Sequence, residues 1–213
     1  MPNKKYPTTG QQTVTGTKSG LNLIVSYIGS VFDTVFNDTA NPNTSQTPSE
    51  TLLHVFGLAD KMEAGEGVIM PIAYTTGALI DPIELLPTDR WPGFMFFNTS
   101  DPVTYEIPKK SPSSYHVFET VQLNVIMFFN MKSQGYYTKW GYDPIIQKEA
   151  LRERVLKVLT VDTPKKGCQF NVLKSYDKNI EDVFNGYSVG DMSSLQPYYA
   201  IRLECEVKFN QPC

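Results

Sequence analysis

"YYAIRLECEVKF", residues 198–209, alternates without a break from Ile201 onward. Successive side chains of a strand point to opposite faces, so Ile201, Leu203, Cys205, Val207 and Phe209 share one side, against Arg202, Glu204, Glu206 and Lys208 on the other. This predicts a strand with one apolar and one mixed-charge face. An apolar strand face has to be covered, so the remaining sequence must supply both partner strands and a layer to pack on them.

One partner is "YHVFETVQLNVIMFFN", residues 115–130, where Val117, Val121, Leu123, Val125 and Met127 share a face broken only by Glu119, while Thr120, Gln122 and Asn124 take the other. Alternation fades at Ile126, Phe128 and Phe129, which predicts cover on both sides of that strand's second half. Residues 168–176 read as a further strand, followed by a polar stretch to Asp191. The covering layer comes from two helices. Leu21, Ile24, Val25, Ile28, Val31, Phe32 and Val35 form one helical stripe, with Gly29 and Ser30 on or near its other side. "YDPIIQKEALRERVLKVLT" offers Asp143 as N-cap and Pro144 at the first helical position. Ile145, Leu151, Val155, Val158 and Leu159 lie on its apolar side, Lys148 snorkels from within that stripe, and Glu149, Glu153, Arg154 and Lys157 face solvent.

The middle of the chain is less regular. Residues 37–48 read as a long exposed loop, and residues 50–115 hold short apolar runs, "LLHVF", "GVIMPIAY" and "GFMFF", separated by Pro and Gly, which read as short strands with irregular connections. Pro71 lies inside the best of these runs and marks it as an edge or a bulge. "GEGVIMP", residues 65–71, lacks the P-loop Lys-Ser/Thr and the third glycine of a dinucleotide fingerprint, and reads as a tight hairpin turn. Residues 1–19, rich in Thr, Gly, Gln and Lys, read as a flexible arm. The fold class is α+β: a mainly antiparallel sheet with two amphipathic helices on one face. It forms a single domain over residues 20–213, with a Pro-rich, loop-rich β insertion at about 38–115.

Charge and composition narrow the function. The chain has 19 basic and 22 acidic residues and a formal net charge of -3, without the concentrated basic face of a nucleic-acid binder. Its three cysteines, Cys168, Cys205 and Cys213, have no CxxC spacing, which fits a reducing compartment. No signal-peptide pattern and no transmembrane run is read, so the expectation is a chain made in the cytoplasm with no membrane contact.

Catalytic signals are thin. His54 and His116 are the only histidines; with Glu50 and Glu119 near them they do not complete a metal site. Cys205 reads as a core residue. Glu204 and Glu206 lie ~7 Å apart on one strand face, but Arg202 and Lys208 flank them, so the set reads as a charge ladder facing solvent or a neighbouring subunit. On that reading, reversing both glutamates to lysine leaves a folded subunit. Tyr136, Tyr137, Trp140 and Tyr142 crowd one loop, which reads equally as packed on its own domain or as a set of interface anchors, with stacking on single-stranded nucleic acid disfavoured by the thin positive charge. The predicted interface set is therefore Tyr136, Tyr137, Trp140, Tyr142, Arg202, Glu204, Glu206 and Lys208.

The order of a helical stripe from Leu21, the strand "VQLNVIMFF", the helix "PIIQKEALRERVLKVL", and closing strands ending "YYAIRLECEVKF" after Pro197 resembles the tail-terminator and tail-completion proteins of tailed bacteriophages. The resemblance covers residues 21–36 and about 115–209; residues 38–115 depart from it. It implies a virion structural protein forming a homo-oligomeric ring of about 6 or 12 subunits at the head–tail neck. Its partners would be other neck, portal or tail proteins, with DNA passing through without sequence-specific binding. The family carries no catalytic residues and no cofactor. The competing expectations are a small-ligand enzyme and a host-surface binding module, each with its site in residues 38–115.

Overall fold

The computed structural model describes residues 20–37, 52–74, 82–87, 91–106, 118–132, 144–162, 168–189 and 198–210. Helix α1 (Gly20–Asn37) is followed by four short strands, β1 (His54–Leu58), β2 (Asp60–Glu63), β3 (Ile69–Tyr74) and β4 (Pro82–Glu84). Two long strands come next, β5 (Gly93–Glu106) and β6 (Phe118–Asn130). Helix α2 (Pro144–Lys157) runs into a π-helical turn (Val158–Asp162), and β7 (Cys168–Tyr176), a short helix α3 (Ile180–Val183) and β8 (Tyr198–Asn210) close the fold.

The main sheet has five strands in the order β1-β5-β6-β8-β7, and a smaller antiparallel sheet has the order β2-β3-β4. The architecture is α+β, as the residue patterns predict. The closing strand is interior: β8 pairs antiparallel with β6 along its whole length, from Tyr198↔Asn130 to Asn210↔Phe118, and with β7 on its other side. The sheet is mixed because β1 pairs parallel with β5. Both of those strands fall within residues 38–115, so that region is partly main sheet; its added piece is the small sheet β2-β3-β4.

Both long helices cover one sheet face. Ile24, Val25, Ile28, Phe32 and Phe36 of α1, with Leu151 and Val155 of α2, pack on Val121, Leu123, Val125, Met127, Ile201, Leu203, Cys205 and Val207. Each such side chain taken from water contributes about 1.5–3 kcal/mol. Phe36 stacks on Phe129 at 5.9 Å, and Phe129 stacks on its register partner Tyr199 at 6.1 Å. Gly29 is a correction. It is buried against β1, and a Cβ there would stand 2.9 Å from Val55 Cγ1, so it marks where α1 and β1 approach most closely rather than an outer face.

The other face is covered over half its length. Phe94, Phe96, Ile126, Phe128 and Ala200 form a second core with Trp91, Ile83, Leu85, and Ile180, Val183, Phe184 and Tyr187. This is the two-sided cover expected from Ile126 and Phe128. The "polar stretch" after β7 is a correction: Asn179 caps α3, its Oδ1 accepting from Glu181 N at 3.1 Å. Four apolar side chains at i, i+3, i+4 and i+7 from Ile180 then descend onto the sheet.

Pro71 also differs from expectation, since it lies in the central strand of the small sheet. The Pro71 carbonyl accepts from Leu85 N at 2.8 Å, so the missing N–H points to that same side, where the ladder of β4 ends at Glu84. Proline has no N–H to return to Leu85, so the β3–β4 ladder stops at this pair. The predicted hairpin turn is present: Ala64 N donates to Val68 O at 2.9 Å, and Gly65, Glu66 and Gly67 all have positive φ. Among the described residues no helix is long and apolar enough to cross a membrane.

Candidate functional site

The half of the second face that no described residue covers is built from cross-strand rows fixed by register. Phe96, Ile126, Arg202 and Tyr176 form the last row toward the aromatic core. Asn98, Asn124, Glu204 and Lys174 form the next, then Ser100, Gln122, Glu206 and Asn171. Thr120, Lys208 and Gln169 continue it toward the far end. With rows ~7 Å apart and strands ~4.8 Å apart, this is a polar platform spanning four strands. Apart from Ser100, its side chains are half-buried or exposed, and the rows carry amides, hydroxyls and balanced charges rather than apolar groups.

Arg202 is the hinge between the two halves, and here the prediction of an exposed Arg202 is corrected. Its side chain is 8% exposed. The guanidinium stacks on the Tyr176 ring at 4.2 Å, and Nη2 donates to Glu204 Oε1 at 3.2 Å, while Nε is buried without a partner. Desolvating such a cation is expensive, and the carboxylate and the ring offset that cost. Glu204 also lies 3.7 Å from Lys174 Nζ, a contact worth little because that lysine is 66% exposed. Glu204 is thus a structural counter-ion. Reversing it would place two cations together beside Tyr176, so the reversal of Glu204 carries a stability cost that the reading of a purely surface ladder did not include.

Glu206 and Lys208 remain at the surface as half-buried side chains on the open rows. Asn124 Nδ2 donates to Asn98 Oδ1 at 2.8 Å, and Asn98 Nδ2 donates to Tyr187 Oη at 2.9 Å, which ties the platform to the covering segment after α3. Lys61 Nζ sits 5.6 Å from the Tyr187 ring centre, and Ser188 holds both backbone groups of Ile69, so the small sheet is locked to the same segment. Burial raises the Tyr187 hydroxyl above its ordinary pKa, with the Asn98 bond opposing, so it stays protonated across the neutral range.

Tyr136, Tyr137, Trp140 and Tyr142 lie outside the described residues, as do His116 and residues 1–19. His54 is half-buried on β1, its ring 4.5 Å from Trp91, and burial lowers its pKa while Asp33 opposes. Among the described residues no three metal-ligating side chains come together. Cys205 is fully buried, and its thiol is pushed up to about 12 by burial and then by Glu204. The pairing of Asn98, Asn171 and Lys174 with the charge ladder went unseen in the sequence, because strand order and register were needed to put them in its rows.

No family model matches the chain, and no curated protein matches it.

Proposed function

We propose that the chain is a structural ring subunit of the head–tail neck of a tailed bacteriophage, of the connector or tail-terminator kind. In this reading it joins portal or adaptor to tail around a channel for DNA. The supporting observation is the divided second face: one half is sealed by aromatic packing, and the other is a polar, charge-balanced platform across β5, β6, β8 and β7. A neighbouring subunit is the natural cover for such a surface, since hydrated polar contacts serve an interface without demanding a large apolar patch. Balanced charge also suits a channel wall that lets a polyanion pass, because each phosphate neutralised by Lys or Arg adds affinity that would hold it. The order of elements carries the resemblance: two helices on one face and a long closing strand inside the sheet.

Negative-stain electron microscopy of the purified full chain tests this. Annular particles with an open centre are expected. Uniform particles of single-subunit size across the accessible concentration range would contradict it.

A further inference from the structure

We infer that the N-terminal half of the β7 edge, residues 168–172, receives residues 8–17 of a neighbouring copy as an added strand. The inference rests on the ring reading and names one contact that closes it.

A strand edge with unpaired backbone groups is a template for another strand, and folded proteins usually blunt such edges with charge, proline, bulges or brevity. The described edges of this protein are blunted in those ways, with one exception. Strand β2 carries Asp60, Lys61 and Glu63 in four residues, and β4 has three residues beginning with Pro82. Strand β1 is irregular, its register with β5 shifting between Val55 and Leu58. The outer edge of β5 beyond Phe97 contains Pro102, where its register with β6 shifts between Ser100 and Thr104. The second half of β7 bears a bulge between Val172 and Lys174, with Leu173 exposed. Residues 168–172 alone have regular pairing inward to β8, no proline and no charge, and among the described residues no strand pairs with them outward.

That edge also leaves the core unfinished. Phe170 and Val172 face the helix-covered core and are only partly buried, while Gln169 and Asn171 sit on the polar side. The occupant should therefore be an uncharged, proline-free strand former with a small apolar residue in alternation. Residues 8–17, "TTGQQTVTGT", between Pro7 and Lys18, are the longest run outside the described residues without proline or charge. Five threonines and Val14 give it strand propensity. Placed on β7, it puts Val14 beside Phe170 and Val172, and Thr13 and Thr15 beside Gln169 and Asn171, as strand alternation requires.

The donor is rooted at Gly20 of α1, whose later half is fixed over β1, with Asn37 Nδ2 donating to Leu53 O at 2.7 Å. Because the donated segment and the β7 edge are different surfaces of one subunit, the contact repeated in one direction from copy to copy is head-to-tail and able to close into a ring.

Hydrogen exchange by mass spectrometry, with native mass measurement on the same samples, tests this on the full chain and on Val14→Pro. The substitution removes a backbone donor from the added strand and alters none of the described core residues. In the full chain, residues 168–172 should be protected in the assembled species and exchange fast in separated monomer. Val14→Pro should fold normally by circular dichroism yet need at least roughly tenfold more protein for half assembly. Rings in both proteins, with unchanged exchange at residues 168–172, would overturn this contact and leave the ring reading standing. A full chain monomeric at every concentration would overturn both. Protection of residues 168–172 in that monomer, lost in Val14→Pro, would assign the strand to the same chain and not to a neighbour.

Discussion

Arg202 shows how one residue divides the sheet. It sits on the charged side of β8, where the sequence places it, yet Tyr176 roofs it and Glu204 neutralises it. The two glutamates of the ladder consequently separate. Glu204→Lys is expected to destabilise by about 3–5 kcal/mol, because it leaves a buried guanidinium without its carboxylate. Glu206→Lys, on the open rows, should shift stability by less than about 0.5 kcal/mol, read from urea melts, and should weaken assembly if the platform is an interface. Leu203, fully buried at the strand centre, is the opposite case. Leu203→Asp should abolish folding, since desolvating an unpaired carboxylate costs several kcal/mol against a net stability of about 5–15 kcal/mol. Cys205 tests the same packing chemically: with Cys168 and Cys213 replaced by serine, no thiol should react with a disulfide reagent at pH 8 until denaturant is added.

At the scale of elements, the contact of α1 with β1 is set by Gly29. Gly29→Ala gains about 1 kcal/mol in helix propensity, but its methyl meets Val55, a stiff β-branched residue in a packed strand. A net loss of about 1–2 kcal/mol is expected from overpacking, recovered in part when Val55→Ala makes space at the contact. Measured as a double-mutant cycle, Gly29→Ala with Val55→Ala should be less than additive. His54, on the same edge strand, gives a pH signature. Its folded pKa lies below 6.5, so as pH falls through that value the unfolded chain takes up a proton that folded His54 does not, and stability is lost on acidification. His54→Phe should flatten this dependence between neutral pH and the lowered folded value.

For the whole molecule, long periodic segments were legible in full and short ones only in part. The seven-residue stripe of α1, the alternation of β6 and β8, and the span of β7 could be read directly because each repeats its period several times. The runs "LLHVF", "GVIMPIAY" and "GFMFF" could be read as short strands and fall on β1, β3 and the start of β5, but the full length of β5 was not legible, because Phe94–Phe97 is buried on both faces and shows no alternation to carry the strand onward. The helix α3 spans a single turn; its signal, Asn179 followed by Ile180, Val183, Phe184 and Tyr187, was present but embedded in polar residues. The platform was half legible: the charged side of β8 and the polar side of β6 were both visible, whereas their union with β5 and β7 depends on long-range pairing that no local pattern encodes.

The central claim is that this fold is one subunit of a closed ring, and native mass spectrometry of the full chain across a concentration series tests it most directly. A single discrete species of about 6 or 12 subunits, persisting on dilution, is the predicted result. A monomer throughout, or a continuous ladder of sizes without a closed species, would contradict it.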